Sequence, residues 1–451
     1  MRQSAPAGQR ILLIAYHFPP SAAVGGQRIV NFGSRLRLLG WDPQVLTIPD
    51  SSVERIDKGR LSDVAGLPIE KAAVWPTAMS LITALNNLRR RGSSPAASVI
   101  PMPSGVSGGP RGAEPLARRL RRYVFSFLLL PDSEKGWCVP AITSAVRTIR
   151  RQKIDWFMTS CPPYSVHLIG LAVKKLTGAK WVADFRDPWM TTGSKRLYPT
   201  SAMSIGIESW LEGRVIENAD LIVFNVDRLR NAYRSRYSNV SPDKFVYIPN
   251  GLPSQRAGVK SEPEKYRQFT ISYTGSLYVG RSPEPVFHAV SRLIKSGAVA
   301  ADAIRIKLVG QCRYIDGQTT ETVVRKHGLE SVVEVIDPVP HSEAVDIIRR
   351  SHLALLLAPS LPYQVPAKIY DYLAAGTRIL AIAEDGGTSD LLSETGAGSA
   401  FAGDEVDGIA DFVRREINGD LSSRRPVSLG RLDVQRLTEE LVGHLERVSG
   451  C

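Results

Sequence analysis

Short apolar runs rich in β-branched and aromatic residues alternate with amphipathic stretches along almost the whole chain. In the first half, strands are predicted at RILLIAY, PQVLTI, AAVW, WFMTS, KWVADF, LIVFN and FVYIP; in the second half, at FTISYTG, IRIKLVG, VVEVI, LALLLA and RILAIA. Continuous apolar strands separated by helical segments are typical of parallel sheets covered by helices. The pattern therefore predicts an α/β fold.

The alternation stops at a polar segment with prolines and charges, SQRAGVKSEPEKYRQ, and then begins again. Residues 254–268 are therefore the predicted linker between two tandem Rossmann-like, doubly wound domains, at 1–253 and 269–428. Because open α/β sheets bind ligands at the carboxyl ends of their strands, we expect the ligand in a cleft between the two domains.

The last segment, 429–451, contains RLDVQRLTEELVGHLERV. Its apolar residues recur at helical spacing and predict an amphipathic closing helix, with a buried stripe formed by Leu437, Leu441, Leu445 and Val448.

Charge and cysteine content limit the possible partners and compartment. The 451 residues carry a formal net charge of +13, which favours anionic partners such as nucleic acid, acidic lipid head groups or phosphorylated small molecules. No nucleic-acid recognition module is apparent, so we expect no nucleic-acid partner. Four widely spaced cysteines show no metal-site or redox spacing, and no apolar run reaches the roughly 18 residues of a membrane span. We therefore expect a cytoplasmic protein without a structural metal.

One basic region interrupts the regular pattern. Residues 89–122 hold eight arginines against one acid, Glu114, around a centre rich in Pro, Gly and Ser. This predicts an insertion loop whose charge is either simply solvated or directed at an anionic membrane surface. In the second case the protein binds peripherally to the inner face of the plasma membrane.

The first candidate motif is AYHFPPSAAVGGQR, where an apolar strand ends before a glycine pair and a helix starting near Gln27. Gly25 and Gly26 would let the backbone approach a ligand, and the amides of the helix start would face an anion. The alternative is that the glycines are there for steric reasons. Nearby, His17 faces the predicted cleft or packs in the core, and Arg28 binds ligand or lies at the surface.

The second candidate motif is VADFRDPWM, which ends another strand. Asp184, Arg186 and Asp187 lie at the carboxyl end, where open sheets bind ligands. A structural Asp–Arg ion pair is the alternative. The segment TSCPPYS would line the same rim.

The second domain offers YTGSLYVGRSPEP and VPAKIYDYLAAGTRIL. The first has a glycine turn at Gly275 and then Arg281 ahead of a helix near Pro283. The second has a short helix on which Lys368 and Asp371, three residues apart, share a face. The two cations suit a diphosphate and the carboxylate suits ribose hydroxyls, although a surface ion pair would have the same spacing.

Taken together and in order, YHFPPSAAVGGQR, ADFRDPW, YIPNG, YTGSLYVGRSPEP and VPAKIYDYLAAGTRIL resemble the GT-B-fold glycosyltransferases. The resemblance is specifically to glycosyltransferase family 4, in the branch that acts in bacterial exopolysaccharide and cell-surface glycan assembly. It implies retaining transfer of a sugar from a nucleotide-sugar donor to a glycan or lipid-linked acceptor, with no bound metal and no cofactor.

The resemblance also implies roles for the candidate residues. Gly25 and Gly26 would lie near the donor phosphates, and Gly275 would form part of the donor site. Arg281 and Lys368 would neutralise the leaving diphosphate, and Asp371 would hold the ribose. The sugar and acceptor would be near His17, Arg28, Asp184, Arg186 and Asp187, of which Asp187 is the catalytic candidate.

The chain departs from the family pattern at two places. The usual glutamate pair around the second-domain helix is incomplete, because Asp371 stands at the second position and Tyr363 near the first. The histidine that many members carry near the sugar is also not evident, and Asp187 is placed in its neighbourhood. A sugar-nucleotide epimerase of the same fold and a catalytically silent GT-B-like partner protein therefore remain as alternatives.

Overall fold

The computed structural model describes residues 8–77, 80, 126–190, 201–252, 263–278, 280–420 and 427–450. Contacts divide the chain into two compact units. The first comprises Met1–Asn225, Leu229–Ile248 and Thr438–Cys451, and the second comprises Val226–Arg228 and Pro249–Leu437. The chain thus leaves the first unit at Ile248, a few residues before the predicted boundary.

The first unit is built on a seven-stranded parallel sheet in the order β3-β2-β1-β4-β5-β6-β7. Its strands are β1 (Arg10–Ile14), β2 (Asp42–Thr47), β3 (Ile69–Lys71), β4 (Trp156–Cys161), β5 (Lys180–Phe185), β6 (Leu221–Phe224) and β7 (Phe245–Tyr247). The central strands are buried along their length, as expected where helices cover both faces.

Among the described residues, five helices of the first unit lie between these strands, as the crossover connections of parallel strands require. They are α1 (Gln27–Leu38), α2 (Cys138–Gln152), α3 (Ser165–Thr177), α4 (Ala202–Asn218) and α5 (Asp227–Arg236), the last of which begins with two residues assigned to the second unit.

The second unit has a six-stranded parallel sheet in the order β12-β9-β8-β13-β14-β15. Its strands are β8 (Phe269–Thr274), β9 (Ile304–Val309), β12 (Val333–Ile336), β13 (Leu353–Leu357), β14 (Arg378–Ile382) and β15 (Gly398–Phe401). A separate two-stranded hairpin pairs β10 (Tyr314–Ile315) with β11 (Gln318–Thr319). The chain reverses direction across the sheet between β8 and β13, and such a switch point is where doubly wound sheets bind ligands.

The helices that follow are α6 (Glu284–Lys295), α7 (Thr320–His327), α8 (His341–Arg350), α9 (Lys368–Ala375), α10 (Gly387–Thr395), α11 (Val406–Ile417) and α12 (Val434–Ser449). The start of α1 at Gln27 agrees with the prediction, and α6 begins one residue after Pro283.

The predicted α/β class with two doubly wound sheets is confirmed. The strand predicted at AAVW is wrong, because β3 ends at Lys71 just before it, and β15 was not predicted. In α12 the leucines of the predicted stripe are buried, whereas Val448 is 37% exposed in the last turn of the helix. The insertion at 89–122 and residues 254–262 of the predicted linker lie outside the described residues.

None of the helices described is both long and apolar enough to cross a bilayer.

Candidate functional site

The glycine pair of the first unit lies in a short 3-10 turn, Val24–Gly26, that leads directly into α1. Neither glycine has a positive φ, so both are required for close approach rather than for backbone angles. A Cβ on Gly26 would lie 2.8 Å from the carbonyl oxygen of His17, and one on Gly25 would lie 2.7 Å from a guanidinium nitrogen of Arg186. The described partners of these glycines are thus parts of the protein itself, which fits the steric alternative.

Two arginines hold this loop by donating to its carbonyl oxygens. Arg186 donates to Gly25 O, and also to Cys161 O (2.8 Å) and Pro162 O (2.7 Å) at the end of β4. Arg60 donates to Ser21 O (2.8 Å), Ala23 O (2.9 Å) and the side-chain oxygen of Gln27 (2.9 Å). Arg186 therefore connects the two predicted motifs, and Arg60 is a contributor that the sequence analysis did not identify.

Arg28 and Asp184 form a buried ion pair. Arg28 Nε lies 3.0 Å from Asp184 Oδ1, and the two residues are 5% and 0% exposed. Asp184 also accepts a hydrogen bond from Ser160 (2.6 Å), and Arg28 donates to Ile248 O (2.8 Å). A carboxylate without exposed surface has no room for a ligand, so this pair stabilises the carboxyl ends of the strands from within.

His17 and Asp187 are half-buried, as are Gly25 and Arg186 of the first-unit group. Burial, followed by the nearby Arg186 charge, lowers the pKa of His17 to about 4, so its imidazole is neutral at neutral pH. Asp187 follows β5 by two residues, at the carboxyl edge of the sheet. The first-unit predictions thus fall at one edge, with Arg28 and Asp184 inside it.

In the second unit, Gly275 follows β8 directly and has a φ of +139°. A Cβ at this position would overlap the ammonium nitrogen of Lys368, the first residue of α9. Lys368 Nζ also lies 4.7 Å from the ring centroid of Tyr273 and 3.5 Å from its hydroxyl. Glycine is therefore needed here both for its backbone angle and for the space that the lysine occupies.

Arg281 is the second cation of the candidate site around Gly275 and Lys368. Burial, and then the Arg281 charge, lowers the pKa of Lys368 to about 8. Arg281 lies 4.4 Å from the ring centroid of Tyr278. Within the part of the chain that the structure describes, neither cation forms an ion pair with a carboxylate.

Asp371 lies one turn after Lys368 on α9 and is partly buried. Burial raises the pKa of its carboxyl group, whereas His341 and Lys368 act in the opposite direction. Lys368 thus lies beside Gly275 at the switch point between β8 and β13, Asp371 lies on the same helix, and the charge of Arg281 acts on Lys368. Tyr273 and Gly310, whose Cβ would overlap Gly275 O, complete this site and were not predicted, because only the fold reveals their contacts.

Two other features concern ligands. The described residues contain no group of three His, Cys, Asp or Glu side chains arranged to hold a metal ion. A cavity of about 410 Å³ lies at the amino ends of β1, β4 and β5, lined by residues such as Asp155, Lys180 and Ser449. It is at the opposite edge of the first sheet from His17 and Asp187.

Solved structures with the same fold match almost the whole chain. Anabaena Alr3699/HepE, crystallised with UDP-glucose, is 13% identical with a TM-score of 0.57, and the match covers 97% of this chain and 99% of that one. The lipopolysaccharide outer core galactosyltransferase WaaB is 10% identical with a TM-score of 0.56, over 97% and 99% of the two chains. The N-terminal domain of Candida albicans trehalose-6-phosphate phosphatase is 14% identical with a TM-score of 0.59, over 98% and 97%. At such identities these likenesses show the fold.

A comparison with curated protein sequences gives no match. The model of the glycosyl transferase 4-like domain, in contrast, matches residues 25–251, which is half of the chain and runs from the glycine pair to the end of the YIPNG motif. The chain therefore belongs to the glycosyl transferase 4-like family and is a glycosyltransferase of the GT-B fold.

Proposed function

We propose that the protein transfers a hexosyl group from a nucleotide-sugar to a glycan or lipid-linked acceptor, with retention of anomeric configuration and without a bound metal or cofactor. The observation that carries this proposal is the place of Lys368. Its ammonium group fills the space left by Gly275, next to Arg281 and at the switch point of the second sheet. Cations without a carboxylate partner at such a point suit a diphosphate.

The chemistry follows from the charge that develops on the leaving group. As the bond between the sugar and the diphosphate breaks, negative charge grows on the departing oxygen, and fixed cations that bind this charge more strongly lower the barrier. Lys368 and Arg281 supply the cations, and the amides at the start of α9 add the positive end of the helix dipole. We assign Asp371 the task of accepting hydrogen bonds from ribose hydroxyls.

In the first unit we assign Asp187 and His17 to the sugar and acceptor. His17 is neutral at neutral pH because of its lowered pKa, so it can accept or donate a hydrogen bond without carrying charge. Gly25 and Gly26 let the loop before α1 pack closely at the same edge, where Arg186 holds it in place.

The test is a panel of UDP-, GDP-, dTDP- and ADP-sugars, with UDP-glucose as the first probe because HepE was crystallised with it. Thermal shift with the free nucleotides identifies the base, and release of nucleotide identifies turnover. We expect sugar incorporation into bacterial lipid extract, a product of the donor's anomeric configuration by NMR, and unchanged rates in EDTA. Inversion at C2 would instead show an epimerase, and binding without turnover would show a silent partner protein.

We further propose that the acceptor belongs to surface polysaccharide biosynthesis and that the enzyme acts at the cytoplasmic face of the membrane. Support comes from WaaB, whose name assigns it to the lipopolysaccharide core, and from the eight arginines in 89–122. Each basic residue near an anionic bilayer contributes about 1 kcal/mol.

Sedimentation with vesicles of anionic and neutral lipid tests the membrane role. Deleting residues 92–112 and neutralising the flanking arginines should weaken binding to anionic vesicles. A control variant with the same change in net charge, made at exposed arginines such as Arg313 and Arg414, should bind like the wild type. Equal binding by the deletion variant and the wild type would remove the membrane role.

A further inference from the structure

The turn that follows Asp187 is bonded to side chains from three helices. Trp189 Nε1 donates to Glu208 Oε2 (2.8 Å), and the amide of Met190 donates to Glu212 Oε2 (2.7 Å), both on α4. The amide of Trp189 donates to the hydroxyl of Tyr233 on α5 (3.1 Å). From the start of α3, Tyr164 donates its hydroxyl to Pro188 O (2.7 Å) and stacks on the Trp189 ring.

Glu212 is the centre of this arrangement and has no exposed surface. Its carboxylate accepts from Met190 N, from the Tyr233 hydroxyl (2.6 Å) and from the Tyr237 hydroxyl (2.7 Å), and Arg236 Nε lies 3.7 Å from it. Burying a carboxylate is costly even when it is well bonded, and an apolar side chain of similar size often serves stability as well. A buried carboxylate whose donors include a loop amide is therefore suited to fixing that loop.

Tyr233 joins the two parts of the network. Its hydroxyl donates to Glu212 and accepts from the Trp189 amide, so it connects the buried carboxylate to the backbone two residues after Asp187. Tyr237 donates to the same carboxylate but makes no hydrogen bond to the turn. The two tyrosines thus share one partner and differ in whether they contact the turn.

We propose that Glu208, Glu212 and Tyr233 are positioning residues that hold the turn 187–190 and thereby fix the carboxylate of Asp187 for sugar transfer. This inference rests on the proposed function, because it takes the role of Asp187 from there. It explains why Glu208 and Glu212 on α4 point into the protein, since glutamate side chains usually lie on the solvated face of a helix.

The test compares Tyr233→Phe with Tyr237→Phe, since each removes one hydroxyl from Glu212 while the carboxylate stays in place. The assay uses the nucleotide-sugar of the panel that turns over fastest. We expect Tyr233→Phe to lower kcat about tenfold or more, as misplacement of a reacting group does, with the donor KM within about twofold. Tyr237→Phe should keep kcat within about twofold. Hydrogen exchange at the amides of Trp189 and Met190 should become faster in Tyr233→Phe alone.

A double variant separates positioning from a general structural role. If Tyr233 acts through Asp187, then Tyr233→Phe has no further effect on kcat in an Asp187→Asn background. Additive losses, equal losses in the two tyrosine variants, or faster exchange with an unchanged kcat would each overturn the inference.

The proposed function can fail separately from this inference. If Lys368→Ala loses turnover and Tyr233→Phe keeps the wild-type turnover, the proposed function stands and this inference is overturned. Wild-type turnover in Asp187→Asn would remove the role of Asp187 and the inference with it. Absence of turnover with every donor would count against the proposed function. Unchanged hydrogen exchange at Trp189 and Met190 in Tyr233→Phe would then show that Tyr233 does not hold the turn 187–190.

Discussion

Charged side chains of the two units have different surroundings. In the first unit, Arg28 is paired with Asp184, Arg186 donates to carbonyl oxygens, and Glu212 accepts from Met190, Tyr233 and Tyr237. In the second unit, Lys368 and Arg281 contact aromatic rings and, among the described residues, no carboxylate at ion-pair distance. The first six strands have the same order in the two sheets. The charges at the carboxyl edges nevertheless differ, because those of the first sheet are bonded within the protein and the two cations of the second sheet contact aromatic rings.

This difference separates charges that build the site from charges that serve a ligand. A buried charge whose partners are all in the protein is already neutralised and contributes mainly to shape. A cation that is partly desolvated, such as Lys368, gains when an anion arrives, because the anion favours the charged form and opposes the lowering of the pKa by burial. The first-unit charges therefore hold the carboxyl edge of their own sheet together, and the second-unit cations are the ones that we propose for the diphosphate.

The largest expected effect is on stability in the first unit. Replacing Asp184 by alanine leaves Arg28 buried and unpaired, which should lower the free energy of unfolding by about 3–5 kcal/mol in urea titrations. As a control, Asp42→Ala breaks the exposed pair with Arg10 and should change it by about 1 kcal/mol or less. If the two variants unfold at the same urea concentration, the first-unit charges are not structural and the comparison between the units is broken.

Next is the effect of Lys368→Ala on turnover. Removing a cation aimed at the leaving group should lower kcat by about 10²–10³, while the melting temperature stays close to that of the wild type. Lys307→Ala is the matched control, because Lys307 belongs to the same sheet but is paired with Glu334 at 2.7 Å. Equal rates in Lys368→Ala and Lys307→Ala would show that a lysine without a carboxylate partner has no special role. Arg281→Ala is expected to follow Lys368→Ala with a smaller loss.

How far the sequence could predict these findings differs between fold and site. The doubly wound fold class could be predicted because buried parallel strands are continuous apolar runs. The strand at AAVW was predicted wrongly because an apolar run of four residues is as compatible with a loop as with a strand. Val448 lies at the helical spacing of the buried leucines, yet it is exposed. The spacing of apolar residues does not show how far along a helix the packing continues.

Site residues could be located at strand ends, but their partners could not be identified. Arg28 and Asp184 are 156 positions apart, and only the fold, which brings α1 to the carboxyl end of β5, decides whether each meets the other or a ligand. The role of Gly275 is similar, since the side chain that fills its space comes from α9, after three intervening strands of the sheet, β9, β12 and β13. Such contacts depend on long-range geometry, which local patterns do not record.

Gly275→Ala sharpens the comparison within the second unit. A methyl group would overlap Lys368 Nζ and displace it, so we expect kcat to fall by about tenfold to a hundredfold, the scale of a small misplacement. Gly280→Ala is the control, because Gly280 also has a positive φ, +84°, but its Cβ would meet nothing within 4 Å. Both variants should lose about 1 kcal/mol of stability from backbone strain. Similar kcat values in the two variants would mean that the place of the lysine does not matter.

The smallest expected effect is a shift in pH dependence. The pKa of Lys368 is about 8, lowered first by burial and then by Arg281, so the lysine loses its charge as the pH rises through 8. If the cation binds the diphosphate as proposed, kcat/KM should fall about tenfold per pH unit above this value. Arg281→Gln removes the repulsion and should move the descending limb to higher pH, whereas Arg313→Gln should leave it in place. If the descending limb stays fixed or moves to lower pH in Arg281→Gln, the two cations do not share one ligand. The charges of the second unit would then be separate from one another, and the comparison with the self-paired charges of the first unit would lose its basis.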